Sequence, residues 1–80
     1  MIIGTAIKEA CSKLNKRNIK SYLLDSEILM SKVLSKRRDY IILNLDKNIG
    51  QKSFEYFKSL VNERCKGKPI AYITGSKYFW

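Results

Sequence analysis

The 80-residue chain has no histidine, one proline, four glycines and two cysteines. Because turns must recur often in a strand-rich fold, so few glycines and prolines favour helices. Without histidine the chain lacks the base of the common catalytic triads, and a zinc site would need four other suitable ligands that are absent. Cys11 and Cys65 form no Cys-x-x-Cys pair. We expect both to be small buried hydrophobic residues in a reducing cytoplasm.

Other signals of specialised function are missing as well. No stretch approaches the roughly 18 apolar residues that a membrane span needs, and the N-terminus does not resemble a signal peptide. There is no phosphate-binding loop, glycine-rich dinucleotide motif or internal repeat. The carboxylates show no pairing that demands acid–base chemistry. The residues by themselves therefore predict a cytoplasmic domain with no membrane contact and no catalytic, cofactor-binding or metal-binding residue.

The chain has an excess of positively charged residues. Sixteen Lys and Arg oppose seven Asp and Glu, for a net charge of +9. Such a balance is typical of proteins with RNA, phosphate or acidic-protein partners. The alternative, which we prefer because the basic residues are spread along the chain, is that they fill solvated helix faces. Lys36, Arg37 and Arg38 form a short basic run, which either contacts a partner or is a solvated helix start.

Apolar residues at spacings of three and four predict a first helix over residues 3–15 and a second from residue 22 to 34. Ser21 is the expected N-cap of the second helix. Apolar residues on more than one side of that helix, Leu23 and Leu24 among them, predict a central position packed on two sides.

The second half of the chain predicts a short third helix and a longer fourth helix. Residues 40–43 fit a strand or a buried helical turn, and we prefer a third helix over residues 37–43 because no upstream segment could pair with a strand. Leu45 and Ile49 are expected to pin the loop 44–50 to the core. A fourth helix over residues 51–66 should end at Gly67 in a left-handed conformation, followed by Pro69.

The predicted fold is an all-α bundle of four main helices and a short fifth turn over residues 70–74, ending in a linker or β-hairpin stub. Residues 1–68 would form the helical domain and residues 69–80 the linker. Residues 78–80 are three consecutive aromatics that resemble the start of a strand. We expect that further chain covers them, because exposed apolar patches invite association.

Three stretches at matching spacing carry a resemblance to HemK/PrmC-type glutamine methyltransferases. Residues 21–30 resemble the family pattern Ser-Pro-Arg-Leu-Asp-Ala-Glu followed by three leucines. Residues 63–75 resemble Arg-Arg-x-x-Gly-Glu-Pro, a hydrophobic residue, then Ala-Tyr-Ile, a hydrophobic residue and Gly. Residues 77–80 are similar to the Glu-Phe-Trp that follows. The departures from the pattern include Tyr22 and Leu23 in place of Pro and Arg, Lys68 in place of Glu, and Tyr78 in place of Phe.

The resemblance implies a release-factor-recognition domain that precedes a methyltransferase domain, its intramolecular partner. Enzymes of this family transfer a methyl group from S-adenosylmethionine to the glutamine of the Gly-Gly-Gln motif in class-1 release factors. This chain lacks the family's Asn-Pro-Pro-Tyr motif, so we expect it to bind neither cofactor nor substrate amide by itself. Two other classes remain open: a basic RNA-binding module, and a free-standing adaptor.

The resemblance adds three candidate partner-binding residues to the basic run. Phe79 and Trp80 either line the substrate pocket or pack between domains. Tyr72 has the same two interpretations, and we expect its hydroxyl to make a hydrogen bond within the linker.

Overall fold

The computed structural model describes residues 1–75. Five helices follow one another along the chain: α1 (Ile3–Lys16), α2 (Tyr22–Leu34), α3 (Arg38–Leu43), α4 (Gln51–Cys65) and α5 (Ile70–Thr74). No strand occurs among these residues; their only β-type pairing is an isolated antiparallel bridge between Ile2 and Asn48. The predicted all-α bundle is confirmed, including the helical assignment of residues 38–43. The predicted start of a strand at residues 78–80 lies outside the described residues.

Helix α2 is central, as its apolar residues predicted. It packs against each of the other four helices, while α1 and α4 also pack against each other and α5 rests on α2 and α4. The core between α1, α2 and α4 is apolar and contains Ile7, Leu14, Leu29, Phe57 and Val61. Burial of such side chains is the main favourable contribution to folding, at roughly 1.5–3 kcal/mol each.

The first turn of α2 differs from the prediction. Leu23 and Leu24 are 52% and 42% exposed, so their assignment to the buried face was wrong. The inward positions of that turn belong instead to Asp25 and Ser26, which are 4% and 0% exposed. With 3.6 residues per turn, inward-facing residues 25 and 26 leave residues 23 and 24 on the outside.

Ser21 stands at the N-cap position of α2, but its side chain makes no capping hydrogen bond. Its hydroxyl donates instead to Oδ2 of Asp25 at 3.0 Å. In this charge-assisted bond the hydroxyl is the donor, whereas in a capping bond its oxygen would be the acceptor. The two cysteines are only half-buried, contrary to prediction; both pack at the edge of the core.

The loop before α4, residues 44–50, contacts the rest of the bundle near both of its ends. Ile49 packs against the core as predicted, but the Leu45 side chain is 42% exposed. Residue 45 is fixed through its backbone, because the Gly4 N–H donates to the Leu45 carbonyl at 2.8 Å. A side chain at position 4 would meet this oxygen, since an ideal Cβ there lies 3.2 Å from it.

The end of α4 matches its prediction. Gly67 has φ +100°, a conformation that favours glycine, and Pro69 follows with φ −60°. The Gly67 N–H donates to the Arg64 carbonyl at 2.9 Å and the Lys68 N–H to the Glu63 carbonyl at 3.4 Å. These bonds satisfy carbonyls that the helix end would leave without partners.

Candidate partner-binding surface

The basic run lies where α2 ends and α3 begins. Ser35 adopts a left-handed conformation, with φ 54°, which ends α2 and turns the chain. Helix α3 is then anchored by Ile41, which is fully buried. The opposite side of α3 carries Ile42 and Leu43, which are 45% and 79% exposed. The short helix therefore presents basic and apolar side chains together to solvent.

The three basic side chains differ in what they already contact. Arg38 Nε donates to Glu27 Oε1 at 3.0 Å, and the Glu27 side chain is only 13% exposed. Arg37 is 80% exposed, and its Nε lies 3.8 Å from Oδ1 of Asp39, a loose surface pair. Arg38 is thus engaged in holding α3 to α2, whereas Arg37 remains accessible.

Lys36 extends over an aromatic ring. Its ammonium nitrogen lies 5.1 Å from the centroid of the Tyr40 ring. A cation at this distance from a ring is attracted by about 0.5–1 kcal/mol at an exposed site. The ring therefore favours one placement of an otherwise flexible side chain.

A shallow depression of about 290 Å³ is lined by Arg37, Arg38, Asp39 and Ile42. It combines a cationic rim with an apolar side chain, a combination that suits an acidic protein surface with apolar contacts. Its open shape is unlike the enclosed pocket of a small-molecule site.

Tyr72 lies on α5 and is 74% exposed. Among the described residues its hydroxyl has no hydrogen-bond partner, so the expected linker hydrogen bond is not found there. The Lys68 ammonium lies 5.9 Å from its ring centroid. Phe79 and Trp80, the remaining candidates, lie outside the described residues.

Two ion pairs hold the turn between α4 and α5. Arg64 Nε donates to Asp25 Oδ2 at 2.9 Å, and Arg64 Nη1 donates to the Lys68 carbonyl at 3.0 Å. Lys68 pairs with Glu63. The hydrogen bond and charge of Lys68 lower the pKa of Glu63, and the same contact raises the pKa of Lys68.

The roles of Asp25, Glu27 and Arg64 were not recognised in the sequence. All three fall within the motif stretches 21–30 and 63–75, where they connect helices. The usable signal was the position of Asp25 three residues before Ile28, on the inward side of α2. An acid at an inward position requires a buried partner of opposite charge.

Two features of cofactor and metal sites are missing from residues 1–75. These residues contain no parallel sheet, at whose strand ends nucleotide-like cofactors bind in α/β folds. Within the same range, no group of three or more His, Cys, Asp or Glu residues could hold a metal ion. No helix over residues 1–75 has both the length and the apolar character needed to cross a membrane.

Comparison with known families defines the class of domain. The sequence model of the family described as PrmC N-terminal domain matches residues 5–75. The chain therefore belongs to the PrmC N-terminal domain family, in agreement with the resemblance in its motifs.

Curated relatives are longer proteins. The chain is 39% identical over 78 residues to a bifunctional methyltransferase of Rickettsia conorii, an alignment that covers 98% of this chain and 15% of the relative. It is 35% identical over 79 residues to a release factor glutamine methyltransferase of Clostridium botulinum, covering 99% of this chain and 28% of the relative. The chain thus spans less than a third of these relatives. No solved structure gave a significant match.

Proposed function

We propose that the chain is the N-terminal recognition domain of a protein-glutamine methyltransferase that acts on class-1 release factors. The observation that carries this proposal is the family match over residues 5–75, together with relatives that are themselves called release factor glutamine methyltransferases. The activity of the whole protein would be methylation of the glutamine in the Gly-Gly-Gln motif, with S-adenosylmethionine as the methyl donor.

In this proposal the chain contributes binding and leaves chemistry to a methyltransferase domain elsewhere in the protein. The relatives have more than three times the length of this chain, which leaves room for such a domain. Residues 69–80 would be the linker to it, with Phe79 and Trp80 packed between the domains or lining the substrate pocket. Tyr72, exposed on α5, is the described residue best placed to join that contact.

Recognition at a distance from the reacting atoms has a clear physical role. A methyl transfer needs the acceptor nitrogen aligned with the methyl carbon, and binding energy from remote surfaces can supply that orientation. A basic surface would also accelerate encounter with an acidic partner more than it would increase final affinity. Lys36 and Arg37 are the members of the basic run that remain accessible for this purpose.

The test is an amide NMR titration of the 80-residue chain with an intact class-1 release factor, at low and at physiological salt. We expect localised shifts around α3 that persist at physiological salt. In an Arg37→Met variant these shifts should require more release factor, whereas Lys8→Met, which removes an exposed charge from α1, should leave them unchanged.

Two results would contradict the proposal. A release factor that produces no shifts at either salt concentration would remove the recognition role. Shifts that appear with RNA but not with the release factor, and that decline steeply with salt, would favour an RNA-binding module instead.

A further inference from the structure

A second cleft, distinct from the depression on α3, lies between the start of α1, the end of α2, α3 and the start of α4. It has a volume of about 230 Å³, and its floor is formed by Ile3, Leu34 and Ile49. Ile3 is buried and the other two are half-buried, so the floor is part of the packed bundle. Like the depression on α3, this cleft is open to solvent.

The polar lining of this cleft consists of hydrogen-bond donors. It is formed by Lys36, Tyr40, Lys47, Asn48 and Ser53, and no acidic residue lines the cleft. Arg38, Arg64, Lys66 and Lys68 each pair with a carboxylate, whereas Lys52 and Lys58 pair with none among the described residues and lie outside the cleft.

Within residues 1–75 these donors have no polar partners of their own. The Lys47 ammonium and the side-chain hydroxyls of Tyr40 and Ser53 make no hydrogen bond or ion pair there, and Lys36 contacts only the Tyr40 ring. Two ammonium groups and two hydroxyls around one apolar floor would favour an anion. The positive end of α4 adds a favourable field, but the cations and hydroxyls define the cleft.

The backbone that carries Lys47 is held in place. The Ile3 N–H donates to the Lys47 carbonyl at 2.8 Å, and the Ile49 N–H donates to the Met1 carbonyl at 2.9 Å. Only side-chain rotamers would have to be fixed on binding, which limits the entropic cost.

We infer that this cleft binds a carboxylate side chain, Asp or Glu, from the surface of a partner protein. The apolar floor suits the methylene groups of such a side chain, and the donors suit its charged end. A nucleic-acid strand is less compatible, because strand binders combine a long basic groove with exposed aromatic platforms, whereas this cleft has one half-buried tyrosine. Where the partner is a release factor, the inference rests on the proposed function.

The direct test uses the 80-residue chain and a defined probe. Acetyl-Glu-Glu-amide is titrated while the amide and lysine side-chain signals are followed by NMR, and acetyl-Gln-Gln-amide serves as the uncharged probe. We expect saturable shifts at Lys47, Asn48 and Ser53 with the first peptide only. A Lys36→Met/Lys47→Met variant should lose about tenfold in affinity, as expected for two exposed charge contacts.

A matched control variant shows whether a loss of affinity comes from the lower net charge alone. Lys8→Met/Lys20→Met removes two exposed lysines that do not line the cleft, so both double variants have the same net charge. Equal losses in the two double variants would overturn the inference, because they would reflect net charge alone. Phosphate or a single-stranded RNA that shifts the same signals at lower concentration than the acidic peptide would also overturn it.

Titration of the same variants with an intact release factor separates the two proposals. If the release factor binds the Lys36→Met/Lys47→Met variant as tightly as the unmodified chain, the cleft is not a contact and the recognition role stands. If the acidic peptide binds in the cleft but the release factor does not bind the chain, the cleft is supported as a carboxylate-binding site and the proposed recognition of release factors is contradicted.

Discussion

Asp25 and Arg64 lie 39 positions apart in the sequence, yet Arg64 Nε is 2.9 Å from Oδ2 of Asp25. Their side chains are 5% and 21% exposed. The pair joins the start of α2 to the end of α4, and Arg64 also reaches the Lys68 carbonyl in the turn that leads to α5. A single guanidinium therefore connects three segments at this end of the bundle.

Removing Arg64 should destabilise the domain strongly. Arg64→Met would leave the buried Asp25 carboxylate with the Ser21 hydroxyl as its remaining side-chain partner. Loss of one partner from a buried pair costs about 3 kcal/mol or more, because the other charge is left uncompensated. Urea unfolding monitored by circular dichroism measures this change in the free energy of unfolding.

Arg37→Met is the matched control for that measurement. The Arg37 side chain is 80% exposed and only loosely paired with Asp39. An exposed pair contributes between about 0 and 1 kcal/mol, so this variant should unfold close to the unmodified chain. Equal destabilisation by the two substitutions would contradict the role assigned to the Asp25–Arg64 pair.

The helices could be predicted from the sequence because hydrophobic spacing reports on local geometry. The period of three and four located α1 and α4, and Gly67 followed by Pro69 located the end of α4. The same period could not separate Leu23 and Leu24 from the core. Their exposure follows from the inward placement of Asp25 and Ser26. The partner of Asp25, Arg64, lies 39 positions away, so apolar spacing alone does not reveal the pair.

The candidate surface could be predicted only in part, because it depends on contacts between residues that are far apart in the sequence. The run 36–38 was visible as consecutive basic residues, but the attachment of Arg38 to Glu27 depends on how α3 folds back against α2. Lys47 lies in a loop and joins Lys36 at one cleft through packing of that loop against α1. Its spacing from Lys36 carries no sequence signal.

A side chain at residue 67 should be unfavourable because of the backbone conformation, although the space around Gly67 is open. An ideal Cβ at this position meets no atom within 4 Å, but φ is +100°. Gly67→Ala should therefore destabilise the domain by about 1–2 kcal/mol through backbone strain alone. Gly50→Ala is the control, because Gly50 has φ −72° and equally open space. Gly50 is the N-cap of α4, where alanine is less favourable than glycine, but the lower entropy of the unfolded chain offsets this, so Gly50→Ala should change stability by less than about 1 kcal/mol. Thermal unfolding of the two variants gives the comparison, and equal melting temperatures would contradict it.

The Glu63–Lys68 pair should make a small, pH-dependent contribution to stability. The pKa of Glu63 is lowered by the Lys68 hydrogen bond and charge, so the unfolded chain binds a proton more readily at this residue. The contribution is thus present above the ordinary glutamate pKa of about 4.3 and is lost as pH falls through the lowered value. Because the pKa of Lys68 is raised, its contribution is lost only as pH rises through that raised value, above about 10.4.

The measurement is a carboxyl NMR titration of Glu63 in the unmodified chain and in Lys68→Met. The midpoint for Glu63 should rise when the ammonium is removed. Ser59→Ala is a suitable control, since its hydroxyl contacts only the Tyr56 carbonyl on α4. An unchanged midpoint in Lys68→Met would show that the pair does not form in solution.

Two leucines, one buried and one exposed, test whether the burial seen in the structure determines their contribution to stability. Leu14 on α1 is 0% exposed, and Leu43 at the end of α3 is 79% exposed. Leu14→Ala should cost about 2–5 kcal/mol, since the loss of buried methyl groups adds to the cost of the cavity that remains. Leu43→Ala should change stability by less than about 0.5 kcal/mol, as is usual for surface positions. Both are measured as shifts in the urea midpoint. If Leu43→Ala destabilised the chain as much as Leu14→Ala, then Leu43 would be packed in solution and α3 would not present an apolar side chain to a partner.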